Sequence, residues 1–312
     1  MRMMKAVTHE HQTGRQSCVM VAVLLLIALS LADQGMAEDL PVPKALVALQ
    51  EHLDMPVSRD WQGVAQGFSR WARKPGQERW ELADVNLPPD KEALVQEDLR
   101  QLGFVQALKP VRKQYDYGVI PGANSPGMLQ RIHYLVKLWH AGARFNRLVF
   151  LTGQRPLVPS ADRFQSLMEP LLQGTGVVHF SGDAAPMHET EAARLLYQYV
   201  DLPQSIRELP VDFIDTARTW QHQHWLRPNT RDTVKSWLQG CPAAGSVLMV
   251  STQPHATYQH AVVRDELPDE FYLETVAPGV AEGQSLAVIL DAVAGWLAQF
   301  NPAQGLNPAI CP

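Results

Sequence analysis

Three polar runs contain the side chains of this chain that are best suited to binding or proton transfer, at residues 122–127, 227–233 and 251–255. The first and third runs directly follow short apolar runs, at residues 117–120 and 247–250, and all three lead into a helical pattern. In an open parallel α/β sheet, the loops after the carboxyl ends of the strands form the ligand crevice. The three runs are therefore the candidate site.

The loop at residues 122–127 has the glycine spacing of a phosphate-binding loop, and Gly122 and Asn124 are its candidate ligand contacts. Met128 stands where such a loop carries lysine, which argues against a nucleoside triphosphatase. Two interpretations remain: backbone N–H groups that bind an anion at a helix start, or a tight turn with an ordinary cap. Arg131, one turn into the helix, can bind a phosphate or carboxylate, or can pair with a surface acid.

His255 is the candidate general base. It lies just past a predicted strand, at a predicted helix amino terminus, where the helix dipole disfavours the imidazolium and leaves a ring that accepts a proton. A structural histidine is the alternative. Ser251, four residues earlier, is a candidate ligand contact or nucleophile, although no Gly-x-Ser-x-Gly motif surrounds it, which argues against an α/β-hydrolase.

Four further candidates lie at the end of a predicted strand or the start of a predicted helix: Gly153, Glu191, Asn229 and Thr230. A glycine at a strand end permits close approach of a ligand to the backbone. Carboxylate, amide and hydroxyl groups at helix starts usually cap the helix, so capping is the alternative for the other three.

One group of residues has the chemistry of a divalent metal site, namely His222 and His224 together with His188 or Asp215. Short His-x-His pairs arise often by chance, so we predict no metal. No dinucleotide-binding Gly-x-Gly-x-x-Gly motif occurs, and the sequence assigns no cofactor.

The strands and helices predicted around these residues indicate an α/β fold. Short apolar runs without clean alternation are typical of parallel strands covered on both faces, and they occur at residues 117–120, 147–152, 210–214, 246–251 and 271–275. Helical patterns follow them at residues 126–140, 189–199, 229–238, 255–266 and 285–300. This alternation predicts a Rossmann-like three-layer sandwich with a mainly parallel sheet of about five strands, from about residue 111 to residue 312.

Two other regions flank or interrupt this domain. Residues 38–110 show helical periodicity separated by proline-rich segments, which predicts a helical amino-terminal region. The long segment at about residues 155–187 is predicted to be an insertion or a lid.

Residues 1–37 have the order of a secretory signal peptide: a polar stretch, an apolar run and small residues that end at Ala37. The apolar run has about 15 residues, short of the roughly 18 to 20 that span a bilayer. We therefore expect cleavage near Ala37, a periplasmic or secreted protein, and no stable membrane span after cleavage. An uncleaved membrane anchor is the alternative.

The net charge limits the classes of ligand, and the cysteine content limits the covalent links. The net charge of −5, without a basic run, argues against nucleic acid and against anionic membrane surfaces as primary ligands. After cleavage, Cys241 and Cys311 remain, and a disulfide and two independent thiols are both compatible with the sequence.

The order of these motifs resembles the YdcF/SanA/ElyC family of bacterial α/β proteins, a family of largely unknown function. The similarity covers about residues 117–279 and rests on motifs at residues 119–122, 131–142, 148–153, 190–192, 229–232 and 251–255. Tyr258 replaces the arginine that follows the family's histidine, and Gly153 alone replaces a glycine pair. The lost arginine puts an anionic ligand in doubt unless Arg131 or Arg155 compensates.

The resemblance implies a cell-envelope protein that binds a small polar or phosphorylated molecule at the carboxyl ends of the strands. Nucleotide-like, S-adenosylmethionine-like or lipid-linked precursor molecules are the ligands that the family suggests. Two alternatives remain: a hydrolase that uses His255 with Ser251 or a metal, and an interaction module that binds a protein partner without a small ligand.

The resemblance also implies roles for the candidate residues. Gly122, Gly153 and Arg131 hold the anion in this hypothesis. Asn229 and Thr230 orient the ligand. His255 with Glu191 supplies a base and its partner.

Overall fold

The computed structural model of the protein describes residues 40–74, 77, 79–177, 179–180, 185–221, 223–304, 306–308 and 310. The chain divides into two units, Met1–Leu40 and Pro41–Pro312, and the second unit is compact. The predicted signal peptide with its cleavage site near Ala37, His222 and Cys311 lie outside the described residues. Among the described residues, no helix is long and apolar enough to cross a membrane.

A five-stranded parallel sheet forms the centre of the second unit, which confirms the predicted Rossmann-like α/β fold. The strands of the described chain are β1 (Gln114–Pro121), β2 (Arg144–Gly153), β3 (Val211–Thr216), β4 (Thr219–Gln221), β5 (His224–Leu226), β6 (Ser246–Val250) and β7 (Tyr272–Val276). The sheet order is β3-β2-β1-β6-β7. All five predicted strands are present in it, whereas the separate antiparallel hairpin of β4 and β5 was not predicted.

The described α-helices are α1 (Lys44–His52), α2 (Trp61–Phe68), α3 (Pro89–Gln101), α4 (Ser125–His140), α5 (Pro159–Asp162), α6 (Phe164–Met168), α7 (Glu189–Tyr199), α8 (Gln204–Arg207), α9 (Thr230–Gln239), α10 (Ala256–Glu266) and α11 (Leu286–Leu297). Short 3-10 turns occur at Ser69–Trp71, Arg79–Glu81 and Pro302–Gln304. The first three helices lie in residues 38–110.

Alternation of side chains along β2 explains its continuous apolar run. Leu148 and Phe150 pack in one core cluster with residues of α4 and α7. Val149 and Leu151 pack in another cluster, with residues of α9 and α10. Both faces of the sheet are therefore covered by helices, which gives the three layers that the sequence predicted.

The helices before the sheet belong to a second core. Leu49 of α1, Phe68 of α2 and Leu99 of α3 share a buried cluster with Leu290 and Trp296 of α11. α11 thus packs against the amino-terminal helices. The segment that follows α2 lies beside α11 as well.

The described part of the segment between β2 and α7 packs onto the domain. Pro156 and His188 form an isolated antiparallel bridge, which closes the two ends of the segment into a neck. Between them, Phe164 and Met168 of α6 are buried in the core cluster of α4 and α7.

Candidate functional site

The direction of strand addition reverses between β1 and β6, because β2 lies on one side of β1 and β6 on the other. Ligands of open α/β sheets bind over the carboxyl ends of the strands at this position. β1 ends at Pro121, beside Gly122, and β6 ends at Val250, beside Ser251. The structure therefore brings the first and third polar runs to one edge of the sheet.

Arg131 of α4 joins the two strand ends from below. Its side chain is 2% exposed. Nη1 donates to the carbonyl oxygens of Pro121 at 2.7 Å and Gly122 at 2.9 Å, and Nη2 donates to Thr252 Oγ1 and Gln259 Oε1, both at 3.2 Å. Burial lowers the pKa of Arg131 to about 10, so it remains a cation at neutral pH. Its Nε is buried without a hydrogen-bond partner among the described residues.

Ser251 belongs to the same network. It is fully buried, and its hydroxyl donates to Gln259 Oε1, which also accepts from Arg131. In the described part of the chain, no hydrogen bond joins Ser251 to His255. The geometry thus gives Ser251 a role in holding the β6 end and supplies no nucleophile paired with a base.

The amino terminus of α4, where the sequence predicts an anion, is occupied by a carboxylate of the protein itself. Asp162 Oδ1 accepts from Ser125 N at 2.9 Å and from Ser125 Oγ at 3.1 Å, and Asp162 is 1% exposed. Asn124 caps the same helix by accepting from Gly127 N at 3.0 Å. The amide of Ser125 is therefore already bound to an anionic group, and Asn124 has the capping role that was the alternative.

Arg155 binds this carboxylate and a second one. Its Nη2 lies 2.9 Å from Asp162 Oδ1 and its Nε lies 2.9 Å from Glu189 Oε2. Burial raises the pKa of Glu189, and the charge of Arg155 opposes the rise. We call Ser125, Arg155, Asp162 and Glu189 the filled position, because its one arginine is matched by two carboxylates.

Gly122 lies against the filled position. A Cβ atom at residue 122 would come within 2.1 Å of Glu189 Oε1. Only glycine leaves room for this carboxylate. The predicted ligand contact at Gly122 is thus a close contact with Glu189, two residues before the predicted Glu191.

His255, beyond the end of β6, has a cationic environment. Burial lowers the pKa of its imidazole well below 6.5, and the positive charges of Arg79, Arg131 and Arg73 lower it further. The ring is therefore neutral at pH 7. Its buried Nδ1 has no hydrogen-bond partner among the described residues.

Arg73 and Arg79 reach this place from the amino-terminal region. Asp291 of α11 accepts from Arg73 N at 3.0 Å and from Arg73 Nε at 2.9 Å, and it lies 3.6 Å from Arg79 Nε. Nε of Arg79 is buried without a hydrogen-bond partner among the described residues. Burial lowers the pKa of Arg79, and the charge of Arg73 lowers it further.

We call Arg73, Arg79, Arg131 and His255 the open crevice. One carboxylate, that of Asp291, pairs with its arginines at a described distance of 4 Å or less. The open crevice is thus a cationic group of side chains that still has hydrogen-bond donors without acceptors.

The other predicted contacts have structural partners. Asn229 Oδ1 accepts from Arg231 N at 2.8 Å and from Asp232 N at 3.2 Å, so Asn229 caps α9 in a capping box. Thr230 accepts a hydrogen bond from Thr233 Oγ1 at its carbonyl oxygen. The contacts of Asn229 are those of the capping alternative, whereas the bond to Thr230 uses its backbone carbonyl and not its side chain.

Gly153 and Glu191 are also engaged with the protein. A Cβ atom at Gly153 would lie 2.4 Å from Pro228 Cγ, so the glycine admits Pro228. Glu191 Oε2 accepts from Met187 N at 2.6 Å, and Oε1 lies 3.3 Å from His188 Nε2. Glu191 therefore lies at the neck of the insertion, and its described partners do not include His255.

The sequence interpretation missed Arg73, Arg79, Asp162 and Glu189. The two arginines flank a Pro-Gly pair in the sequence, but nothing local relates these arginines to the ends of β1 and β6. Arg155 was named as a compensating cation, and it instead serves the two buried carboxylates.

The remaining candidates are the metal ligands and the cysteines. Among the described residues, no group of three or more His, Cys, Asp or Glu side chains is arranged to hold a metal ion. His188 Nδ1 lies 4.0 Å from Asp215 Oδ1. Cys241 is exposed and forms no disulfide with a described residue. Cys311, with which the sequence leaves both a disulfide and two independent thiols open, lies outside the described residues.

No protein-family model matches the chain, and no curated protein matches it. Membership of the YdcF/SanA/ElyC family therefore stays a prediction.

Proposed function

We propose that the protein binds a small molecule carrying a phosphate or a similar anionic group in the open crevice. The observation that carries this proposal is the excess of cations there. Arg73 and Arg79 share the carboxylate of Asp291, and Arg131, which the charge of Glu189 reaches, has no ion pair within 4 Å among the described residues. An anion would neutralise this excess.

Unpaired donors favour an anionic ligand over a neutral one. A buried guanidinium nitrogen without an acceptor is destabilising, and a hydrogen bond between charged groups is about twice as strong as a neutral one. Nε of Arg79 and Nε of Arg131 are both buried without an acceptor among the described residues, and a planar guanidinium binds two oxygens of a phosphate or carboxylate at once. His255 Nδ1 adds a third contact.

The arrangement of Arg131 supports binding at this edge. Its hydrogen bonds fix Gly122 on the β1 side and Thr252 on the β6 side. The ends of β1 and β6 are therefore held in place before a ligand arrives, which reduces the entropy lost on binding. Arg131 acts in the proposal mainly as a positioning residue.

The proposed function is binding. A neutral His255 can accept a proton, but Ser251 is used by Gln259, and Glu191 lies at the neck of the insertion. By the resemblance, nucleotide-like, S-adenosylmethionine-like or lipid-linked ligands are candidates. The signal-peptide pattern of residues 1–37 supports a periplasmic or secreted location as part of the proposal.

Calorimetric titration of residues 41–312 with inorganic phosphate and pyrophosphate tests the proposal. We expect saturable binding that weakens about tenfold in Arg79→Gln, which removes one charge-assisted contact. His255→Gln should also weaken it. The control is Arg147→Gln, because Arg147 is partly exposed and pairs with Asp212 at 2.8 Å away from the crevice. No binding by the parent, or equal losses in the Arg79 and Arg147 variants, would overturn the proposal.

A further inference from the structure

The β4–β5 hairpin carries two exposed tryptophans. Trp220 and Trp225 are 58% and 56% exposed, and their ring centroids lie 5.3 Å apart in an edge-to-face contact. They are paired across the hairpin, so both side chains lie on the same face of it. Large aromatic side chains at this exposure leave much apolar surface in water.

Core packing does not explain this pair. The described hairpin residues are exposed except for Leu226, and the hairpin forms a sheet of its own. Within the described residues, the ring contacts of the two tryptophans are with each other and with the guanidinium of Arg218, which lies 5.3 Å from the Trp225 ring.

Other exposed apolar side chains lie along the same edge of the sheet. The hairpin follows β3, and the neck of the insertion follows the neighbouring strand β2. The neck carries Met187, which is 78% exposed, and Val158 just beyond it is 40% exposed. Four of the seven large apolar side chains that are most exposed among the described residues thus follow the carboxyl ends of two adjacent strands.

The charge of this segment is opposite to that of the chain. Residues 217–231 contain no aspartate or glutamate, although the chain has 32 of them and a net charge of −5. Arg231 pairs with Asp265 and Glu266, which leaves Arg218 and Arg227 as exposed cations that flank the tryptophans. The whole-chain charge therefore conceals a locally basic, aromatic segment.

We propose that the β4–β5 hairpin docks the protein on the surface of an anionic lipid bilayer. The indole rings of Trp220 and Trp225 lie at the level of the headgroups, where tryptophan is enriched in membrane proteins because one end of the ring is apolar and the other polar. Arg218 and Arg227 contact lipid phosphates. Apolar burial and attraction to anionic lipids together give stable attachment, as neither does alone.

The two tryptophans and Arg218 are not part of the open crevice, whereas the charge of Arg227 also reaches Arg79 and lowers its pKa. A single-stranded nucleic acid would need cations along a groove of several nucleotides, whereas the unpaired cations here are confined to the hairpin and its flanks. A bilayer fits a short exposed hairpin that carries two paired tryptophans on one face.

Co-sedimentation of residues 41–312 with vesicles tests the proposal. We use phosphatidylcholine alone and phosphatidylcholine mixed with about a third phosphatidylglycerol, so that lipid charge is the variable. The protein should sediment with the mixed vesicles and bind the neutral ones at least about tenfold more weakly. Tryptophan emission should shift to shorter wavelength on binding.

Variants assign the binding to the hairpin. Trp220→Ala with Trp225→Ala, and separately Arg218→Gln with Arg227→Gln, should each weaken binding to the mixed vesicles about tenfold or more. The control pair is Leu94→Ala with Val111→Ala, since these residues are 47% and 51% exposed on other elements. It should bind as the parent does.

Three results would overturn the proposal: no sedimentation with mixed vesicles, equal sedimentation of the double tryptophan variant, or tryptophan-dependent binding of oligothymidylate instead of vesicles. The last result would assign the hairpin to single-stranded nucleic acid. Arg79→Gln should retain vesicle binding, so failure of the crevice proposal and failure of this one are distinguishable.

Discussion

The filled position and the open crevice lie at the same edge of the sheet and differ in how their arginines are neutralised. In the filled position, Arg155 binds both Asp162 and Glu189. In the open crevice, Arg73 and Arg79 share the carboxylate of Asp291, and Arg131 has no ion pair within 4 Å among the described residues. The comparison teaches that a helix amino terminus with glycines beside it does not by itself identify a ligand site, because the protein can supply the anion.

What distinguishes the two places is distant in sequence. The contact of Ser125 with Asp162 joins residues 37 positions apart, and the contact of Arg73 with Asp291 joins residues 218 positions apart. The sequence of residues 122–127 does not show whether a distant carboxylate of the protein, such as that of Asp162, binds there. The unpaired donors, rather than the loop motif, therefore indicate where a ligand anion binds.

The largest loss of stability is expected when the filled position loses one of its two carboxylates. Asp162→Ala leaves the buried Arg155 with one carboxylate fewer and leaves Ser125 N without its acceptor. Removing one partner of a buried ion pair destabilises a protein by about 3–5 kcal/mol, and urea unfolding should show a loss in free energy of this size. Formate or phosphate should recover part of it by binding in place of the carboxylate.

The matched control for this variant is Asp212→Ala. Asp212 also pairs with an arginine at 2.8 Å, but both side chains are about 40% exposed. Its removal should change the free energy of unfolding by at most about 1 kcal/mol. Equal losses for the two variants, or no recovery with added anions, would show that Asp162 does not act as the internal anion.

A second change tests the wall that separates the two places. Gly122→Ala would put a methyl group within 2.1 Å of Glu189 Oε1, so the carboxylate must move from Arg155. We expect a loss of about 1–3 kcal/mol in the free energy of unfolding, the usual effect of overpacking. Gly67→Ala is the control, because Gly67 lies within α2 and faces the flexible end of Met55 at 3.3 Å. It should be neutral or stabilising. Equal effects of the two changes would contradict the contact.

The sequence predicted the fold more completely than the site. The apolar runs of the five central strands are set by local burial on both faces, and α7 has the predicted bounds, Glu189–Tyr199. Periodicity is a property of neighbouring residues, so it survives in a single sequence. The β4–β5 hairpin escaped prediction because its strands have three residues each, and the His-x-His pattern there was considered as a metal ligand instead.

The sequence predicted in part which candidate residues lie together. Gly122, Arg131, Ser251 and His255 do meet at the β1 and β6 ends, because strand order brings their loops together. Their partners could not be predicted, since these come from the insertion, from the turn after α2 and from α11. Capping chemistry at Asn229 has the same sequence signature as ligand binding.

The pH dependence of stability tests the cationic environment of His255 in the open crevice. The pKa of His255 is lowered by burial and by Arg79, Arg131 and Arg73, so the unfolded chain takes up a proton before the folded protein does. The contribution of neutral His255 to stability is therefore complete above 6.5 and decreases as the pH falls below it. A bound anion should raise the folded pKa and reduce this loss.

Unfolding in urea at several pH values, with and without sulfate, measures this effect. His255→Asn should lose less stability than the parent as the pH falls below 6.5, and sulfate should protect the parent more than the variant. His260 supplies a background that both proteins share, because burial and then Arg264 lower its pKa to about 3. Identical pH profiles for parent and variant would remove His255 from the open crevice.

The smallest expected effect is that of Glu191→Gln, which separates the predicted partner of His255 from the carboxylate that the structure places at the edge. Glu191 is 45% exposed on its side chain and contacts His188 and Met187, so its neutralisation should change stability by about 0.5 kcal/mol or less. Phosphate affinity should also stay within about twofold of the parent, since a partly exposed charge outside the crevice is screened by solvent. Glu189→Gln is the matched variant, because it removes a charge that Arg155 binds at 2.9 Å and should destabilise the protein by several times more. If Glu191→Gln instead weakens phosphate binding as strongly as Arg79→Gln does, the carboxylate of Glu191 acts on the open crevice. That result would support the pairing of Glu191 with His255 that the sequence predicts.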